Sequence, residues 1–204
     1  MTRTIATLIF PQFELLDVYG PLEMFGMFPD DFHLIMVAAG DAPVASTQGP
    51  RTAVDARLDE DPRAEMLLVP GGAGARRAAV DPEILAWLTR SIPEAELVTS
   101  VCTGSNVLAA TGLLDGMRAT TNKRAFELGA RFGPKVDWQP RARWVEDGKF
   151  ITASGVSAGI DMSLAVIAKL LGPDAAADAA LWAEYTPNTD PGHDPFAAHI
   201  KEPT

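Results

Sequence analysis

The stretch Leu97-Val98-Thr99-Ser100-Val101-Cys102-Thr103-Gly104-Ser105 decides how the rest of the chain is read. Leu97 to Val101 is a short apolar run of the kind that forms a buried strand. The run from Asn106 to Leu114 reads as a helix, so strand gives way to helix almost at once, with Cys102 at the corner. A sharp strand-to-helix turn of this kind is the geometry of a nucleophile elbow, which lifts a reactive side chain above the carboxyl edge of a sheet. Gly104 relieves crowding next to the turn. A helix beginning just after Cys102 aims its first N–H groups at the sulfur, which favours thiolate and predicts a lowered thiol pKa. A lone cysteine is also commonly a buried structural residue. From the spacing alone both readings stay open.

Working outward, strand and helix signals alternate with short connections. Thr4 to Phe10, Phe32 to Ala38 and Glu65 to Val69 read as strands, and Leu15 to Phe28 as a helix with Pro21 in an early turn. Asp81 and Pro82 are the N-cap and first residue of another helix that continues through Ile84, Leu85 and Leu88. Asp147-Gly148 joins Ala142–Glu146 to Lys149–Ala153 as a hairpin. Ser157 to Leu171 reads as a helix ended by Gly172-Pro173, and Asp174 to Tyr185 as a further one. Such alternation predicts an α/β protein: a single-domain three-layer α/β/α sandwich around a mostly parallel sheet. Residues 1–204 are read as one domain, with 187–204 as a C-terminal loop or tail.

Composition narrows the function classes. The chain has 204 residues, 47% of them apolar, enough to fill one large core. A formal charge of −10 argues against a nucleic-acid surface, which needs clustered cations to neutralise phosphates. The N-terminus lacks a signal-peptide pattern and no apolar run reaches membrane-spanning length, so the expectation is a soluble, cytoplasmic protein without membrane contact. One cysteine makes no internal disulfide, and the scattered His33, His193 and His199 make no ligand pair, so no metal cofactor is expected.

Two further motifs carry chemistry. Pro70-Gly71-Gly72-Ala73-Gly74 follows a strand directly, where backbone N–H groups can cradle an oxyanion, though such a loop is also an ordinary flexible turn. Asp17 lies in the apolar segment from Leu15 to Phe25. It is either a helix N-terminal acid stabilising the dipole or a carboxyl near the thiol that carries protons.

Taken together, these segments resemble the ThiJ/PfpI superfamily, whose fold is similar to class I glutamine amidotransferases and to flavodoxin-like sheets. The resemblance runs along nearly the whole chain. It includes Leu16-Asp17-Val18, Gly20-Pro21, the Pro70-Gly71-Gly72 loop, Val101-Cys102-Thr103-Gly104-Ser105 and Gly112 to Gly116. It continues through Arg118-Ala119-Thr120-Thr121 and Ser154 to Asp161. Asp17, together with Thr103 directly after the cysteine, is similar to the isocyanide (isonitrile) hydratase branch. That resemblance implies hydration of an isocyanide to an N-formamide, with Cys102 as nucleophile, Asp17 as acid and base, and Thr103 orienting Asp17 or water. It further implies a small-molecule substrate bound around Gly71, Gly72, Ala73, Asn122 and Gly155, with the N–H groups of Gly72 and Thr103 stabilising charge or ordering the attacking water, in a homodimer that needs no metal or organic cofactor. A glyoxalase- or deglycase-like activity, or a redox-sensing protein without catalysis, are the other implied classes. Thr103 stands where superfamily proteases carry His, and Asn122-Lys123 where relatives often carry His-Trp, so no triad histidine is present. Ala183-Glu184-Tyr185 and Asp194-Pro195-Phe196-Ala197 also resemble this subgroup and are expected to close or buttress the site, with a purely structural role for Phe196.

Overall fold

Burial on both faces explains why the central strands read as uninterrupted apolar runs. The computed structural model describes residues 2–200. In chain order the elements are β1 (Arg3–Leu8), α1 (Leu15–Gly26), β2 (Phe32–Ala38), β3 (Val44–Ala45), β4 (Arg51–Thr52), β5 (Ala56–Arg57) and β6 (Met66–Val69). They continue with α2 (Ala75–Ala78), α3 (Pro82–Glu94), β7 (Leu97–Ser100), α4 (Gly104–Ala109), β8 (Arg118–Ala119), α5 (Glu127–Phe132) and β9 (Asp137–Trp138). β10 (Trp144–Asp147), β11 (Phe150–Ala153), α6 (Ala158–Leu171) and α7 (Pro173–Trp182) complete the set.

Seven strands form one sheet in the order β10-β11-β7-β6-β1-β2-β5, and every pair except β10–β11 is parallel. From β1 the chain moves to β2 on one side, then returns to β6 on the other. Right-handed crossovers running in opposite directions put α1 and α3 on opposite faces, giving three layers. The crevice at such a switch point, beyond the carboxyl ends of the strands, is where open α/β sheets bind ligands. Here it lies between β1 and β6. Leu68 pairs with Thr7 of β1, and Val69 pairs with Ser100 of β7, so the three strands end nearly level. The segments that follow them, which carry Asp17 at the start of α1, Gly71 and Cys102, therefore emerge side by side.

The predicted strands appear within a residue or two. Asp81 caps α3 as expected, its Oδ1 accepting from Glu83 N at 3.0 Å and Ile84 N at 3.2 Å. The hairpin at Asp147-Gly148 forms, with Glu146 opposite Ile151. Three helices are shorter than their apolar patterns. α1 stops at Gly26, α7 stops at Trp182, and α4 ends at Ala109 because Gly112 adopts a positive φ of 78° and turns the chain away. The expected C-terminal loop carries one 3-10 turn, Pro195–His199, and its last four residues lie outside those described. No helix among the described residues is long and apolar enough to cross a membrane.

Candidate active site

Cys102 adopts φ 57°, a left-handed conformation unusual for a residue with a side chain. Such strain costs on the order of 1–3 kcal/mol and persists only where the surroundings enforce it. They do so here. Cys102 N–H donates to Ala153 O at 3.2 Å and Ser154 O at 3.0 Å at the end of β11, while Cys102 O accepts from Thr121 Oγ1 at 3.0 Å and Ser105 Oγ at 3.2 Å. Gly104 then passes so close to β6 that a Cβ on it would lie 2.0 Å from Val69 O. The corner is fixed on both sides.

Asp17 sits in the first turn of α1 and is fully buried. Its Oδ2 accepts from Gly71 N at 2.8 Å across 54 residues of sequence, and its Oδ1 has no hydrogen-bond partner among the described residues. A helix-terminal acid serving only the dipole would be exposed to water, so burial favours the second of the two sequence readings. Burial pushes the Asp17 carboxyl well above the usual carboxylate range, against the opposing pull of the Gly71 N–H. Gly71 cannot be anything larger: a Cβ there would lie 2.5 Å from both Thr103 N and Thr103 Oγ1 and 3.0 Å from Asp17 Oδ2. The loop is further locked by Glu14 N donating to Gly71 O at 2.9 Å and Gly74 N to Gln12 O at 3.0 Å.

Two expectations for this loop change. Gly72 N–H does not point freely at a ligand; it donates to Thr103 Oγ1 at 3.2 Å. The Thr103 hydroxyl therefore tethers the glycine loop, and it makes no capping bond to α4. Ala73 is exposed, with its N–H directed at Thr47 Oγ1 3.4 Å away. Of the two proposed charge-stabilising donors, the Thr103 N–H is the one that faces the Cys102 sulfur.

Opposite Asp17, Asn122 Nδ2 donates to Cys102 Sγ at 3.1 Å. Its orientation is set by its other end, since Oδ1 accepts from Arg124 N at 2.9 Å and Ala125 N at 3.2 Å at the start of a 3-10 turn. Gly155 closes this side: a Cβ there would lie 2.0 Å from Asn122 Nδ2 and 3.2 Å from the sulfur. The structure thus brings Cys102, Asp17, Thr103, Gly71, Asn122 and Gly155 together. Gly72 lies one hydrogen bond away, and Ala73 is at the outer edge.

Burial also corrects the thiol. Although α4 begins beside it, Cys102 is almost enclosed, and burial together with the neighbouring Asp17 raises its pKa far above the ordinary value of 9.0. The hydrogen bonds from Thr103 and Asn122 pull the other way and do not win. A six-residue helix contributes too little to offset that desolvation. The free thiol is accordingly expected to react with iodoacetamide slowly at pH 7, its rate still climbing with pH beyond 9. A plateau below pH 8 would contradict this.

A cluster of buried charges that the sequence did not reveal stands behind Asn122. Lys123 is 3% exposed, and its Nζ donates to Thr120 Oγ1 at 2.7 Å and Ala142 O at 2.6 Å, with Asp194 Oδ2 3.9 Å away. Asp194 also approaches Arg143, which pairs with buried Asp161 at 2.7 Å; Asp161 in turn accepts from Tyr185 Oη at 2.8 Å and Asn188 N at 3.0 Å. Burial pushes Lys123 down to about 8 and Tyr185 up to about 12. The C-terminal segment is thereby attached to the residue beside the sulfur's donor, which is the buttress expected of Asp194. Removing one member of a buried ion pair leaves its partner uncompensated, at about 3–5 kcal/mol. Lys123→Met is expected to lower the melting temperature by several degrees. A variant as stable as the parent would show that the cluster contributes nothing.

Residues 3–169 match the DJ-1/PfpI family. The chain belongs to that family. It is 37% identical to an isonitrile hydratase from Pseudomonas putida over 190 residues, covering 92% of this chain and 80% of that one. A transcriptional regulator of the helix-turn-helix type from Pseudomonas aeruginosa is 30% identical over 86% of this chain but only 53% of its own length. Among solved structures, a ThiJ/PfpI family protein from Pseudomonas syringae superposes with a TM-score of 0.84 at 35% identity, over 92% of this chain and 77% of that one. A cysteine-to-alanine mutant of a DJ-1 superfamily protein from Salmonella typhimurium superposes at 0.79 with 25% identity, over 91% of this chain and all of that one. Within the DJ-1/PfpI fold, the groups found around the sulfur of this member are a carboxyl, a carboxamide and a threonine N–H.

Proposed function

We propose that this DJ-1/PfpI protein hydrates isocyanides to N-formamides. The observation that carries the reading is the buried pair of Cys102 and Asp17, with one carboxyl oxygen of Asp17 left without a partner beside the thiol. The similarity to the Pseudomonas putida isonitrile hydratase supports it. Proteases of the serine or cysteine type need a base such as histidine to hold and deliver the proton. Here Asp17 has that place, and burial raises its pKa above the usual carboxylate range, which suits a group that must both accept and give a proton.

The terminal carbon of R–N≡C is both nucleophilic and electrophilic, so it takes up a proton and a sulfur on the same atom. Asp17 accepts the thiol proton as the S–C bond forms and delivers it to that carbon, leaving the thioimidate R–N=CH–S–Cys102. A preformed thiolate is unnecessary, which accords with the raised thiol pKa. Asp17 then takes a proton from water as the oxygen adds to the carbon, and passes that proton to the nitrogen. Collapse of the R–NH–CH(OH)–S adduct breaks the C–S bond, and the hydroxyl proton returns to sulfur by way of Asp17. The product is R–NH–CHO, and one water is consumed. Thr103 N–H and Asn122 Nδ2 hold the sulfur as it gains and loses charge.

Incubating the purified protein with a simple isocyanide and, separately, with methylglyoxal tests this reading. Formation of the N-formamide is expected, with methylglyoxal untouched. Consumption of methylglyoxal alone would assign a glyoxalase- or deglycase-like activity, and inertness toward both would leave a protein without catalysis.

A further inference from the structure

A cavity of about 340 Å³ opens beside the nucleophile corner, with Gly72 and Thr103 in its wall. Its other walls are mostly apolar: Ala125, Leu128 and Phe132 come from the segment that follows Asn122, Ala75 comes from α2, and Asn106 of α4 adds a polar side chain. Arg76 stands in the lining. A second, smaller groove of about 210 Å³ shares Arg76, Ala125 and Leu128 with the first and adds Lys123, Arg124, Phe126 and Glu127. Arg76 and Arg124 are both exposed, and neither forms an ion pair among the described residues.

We propose that Arg76 and Arg124 form an anion subsite at the outer end of this cavity, and that the substrate is an isocyanide bearing a carboxylate at the far end of an apolar tail. The inference rests on the isocyanide reading for the reacting end and on independent residues for the other. The reacting carbon has to reach the sulfur, which lies next to Thr103. A tail leaving that point past Thr103 enters the cavity and runs along Ala125, Leu128 and Phe132, with Asn106 as the polar side chain on the way. Arg76 lines both this cavity and the neighbouring groove, and Arg124 lines the groove, so two guanidinium groups border the path, the side chains that bind carboxylates in a planar fork. Glu127 is the acidic group on the same groove, and Lys123, which also lines it, has its ammonium bonded on the inner side, as the other charges nearby are engaged elsewhere. Arg77 turns to Gln12 Oε1, Lys123 is buried against Thr120 and Ala142, and Asp17 is enclosed. The net charge of −10 makes the case sharper, because a protein so acidic repels anions in general. An anion preference at this mouth would have to come from Arg76 and Arg124 within a screening length of about 8–10 Å.

Two paired measurements test the subsite. The first compares kcat/KM for an ω-isocyano carboxylate with that for its methyl ester, in the parent and in an Arg76→Gln/Arg124→Gln double variant. The acid-to-ester ratio is expected to exceed one and to fall about tenfold in the variant, the scale of two partly exposed charge pairs. The second needs no turnover. It compares alkylation of Cys102 by 4-(iodoacetamido)butanoate with alkylation by its methyl ester, each relative to glutathione. The parent should favour the acid more than glutathione does, and the double variant or 0.5 M salt, which shortens screening to roughly 4 Å, should remove the preference. Isocyanide turnover with an acid-to-ester ratio that the variant leaves unchanged would overturn the subsite and leave the hydratase reading standing. No turnover of either isocyanide, with the alkylation preference intact, would overturn the hydratase reading and keep the anion subsite. An alkylation preference no greater than that of glutathione would overturn the subsite whatever the turnover.

Discussion

Cys102→Ala is expected to abolish isocyanide turnover while the protein still folds. In the proposed mechanism the sulfur is the atom that bonds to substrate, and no other thiol exists in the chain to replace it. Packing loses little, because alanine removes a single sulfur from a site that is 6% exposed. The transfer cost is on the order of 1 kcal/mol, a small part of a typical domain's stability. The strained backbone is held by Ala153, Ser154, Thr121 and Ser105 through main-chain atoms of residue 102, and these bonds do not depend on the side chain. Circular dichroism and formamide production on one preparation check both halves. An unfolded variant would make Cys102 a structural residue, and an active one would remove covalent catalysis.

Asp17→Asn has the second largest expected effect, and it separates chemistry from stability because the two move in opposite directions. Turnover should fall about a hundredfold or more, the usual scale of general acid–base catalysis. Asparagine keeps an oxygen to accept from Gly71 N, so the loop stays in place. Stability should rise. A carboxyl whose folded pKa lies above its unfolded value of 3.8 favours the folded state fully only below that value. As pH climbs from 4 toward the folded pKa, the unfolded chain releases its proton more readily and stability is lost. The asparagine variant lacks that loss, so its melting temperature should exceed the parent's at pH 7, with the gap closing near pH 4. Alkylation of Cys102 should become faster at pH 8, since the Asp17 charge is one of the two causes that raise the thiol pKa. Unchanged turnover with a lower melting temperature would reduce Asp17 to a helix-terminal acid.

The sheet was legible because its central strands are buried on both faces and leave continuous apolar runs, such as Met66–Val69 and Leu97–Ser100. The strands of two residues and the short α2 and α5 were not, since two-residue pairings such as Arg118–Asp137 are decided by packing and leave no periodic pattern. The elbow could be read from one local stretch, and its left-handed φ follows from that. The state of the thiol could not, because desolvation depends on Asp17, Asn122 and Gly155 arriving from three other segments. Asp17 is the same kind of case: whether an acid in a first turn is exposed or enclosed is set by Gly71, 54 residues later. Asn122-Lys123 looked from the sequence like a loss of function-bearing residues. In the fold Asn122 holds the sulfur, and Lys123 finds a carboxylate from the C-terminal segment, a pairing that neither local sequence announces.

The most direct test of the central claim is the mass of the protein during turnover. Acid quenching at successive times after mixing with excess isocyanide, followed by intact-mass measurement and peptide mapping, reads whether substrate bonds to sulfur. The account predicts a species heavier by the mass of the isocyanide, located on Cys102, present while the N-formamide accumulates and gone when the substrate is exhausted. Steady formation of the formamide with Cys102 unmodified at every time, and still open to iodoacetamide throughout, would contradict it.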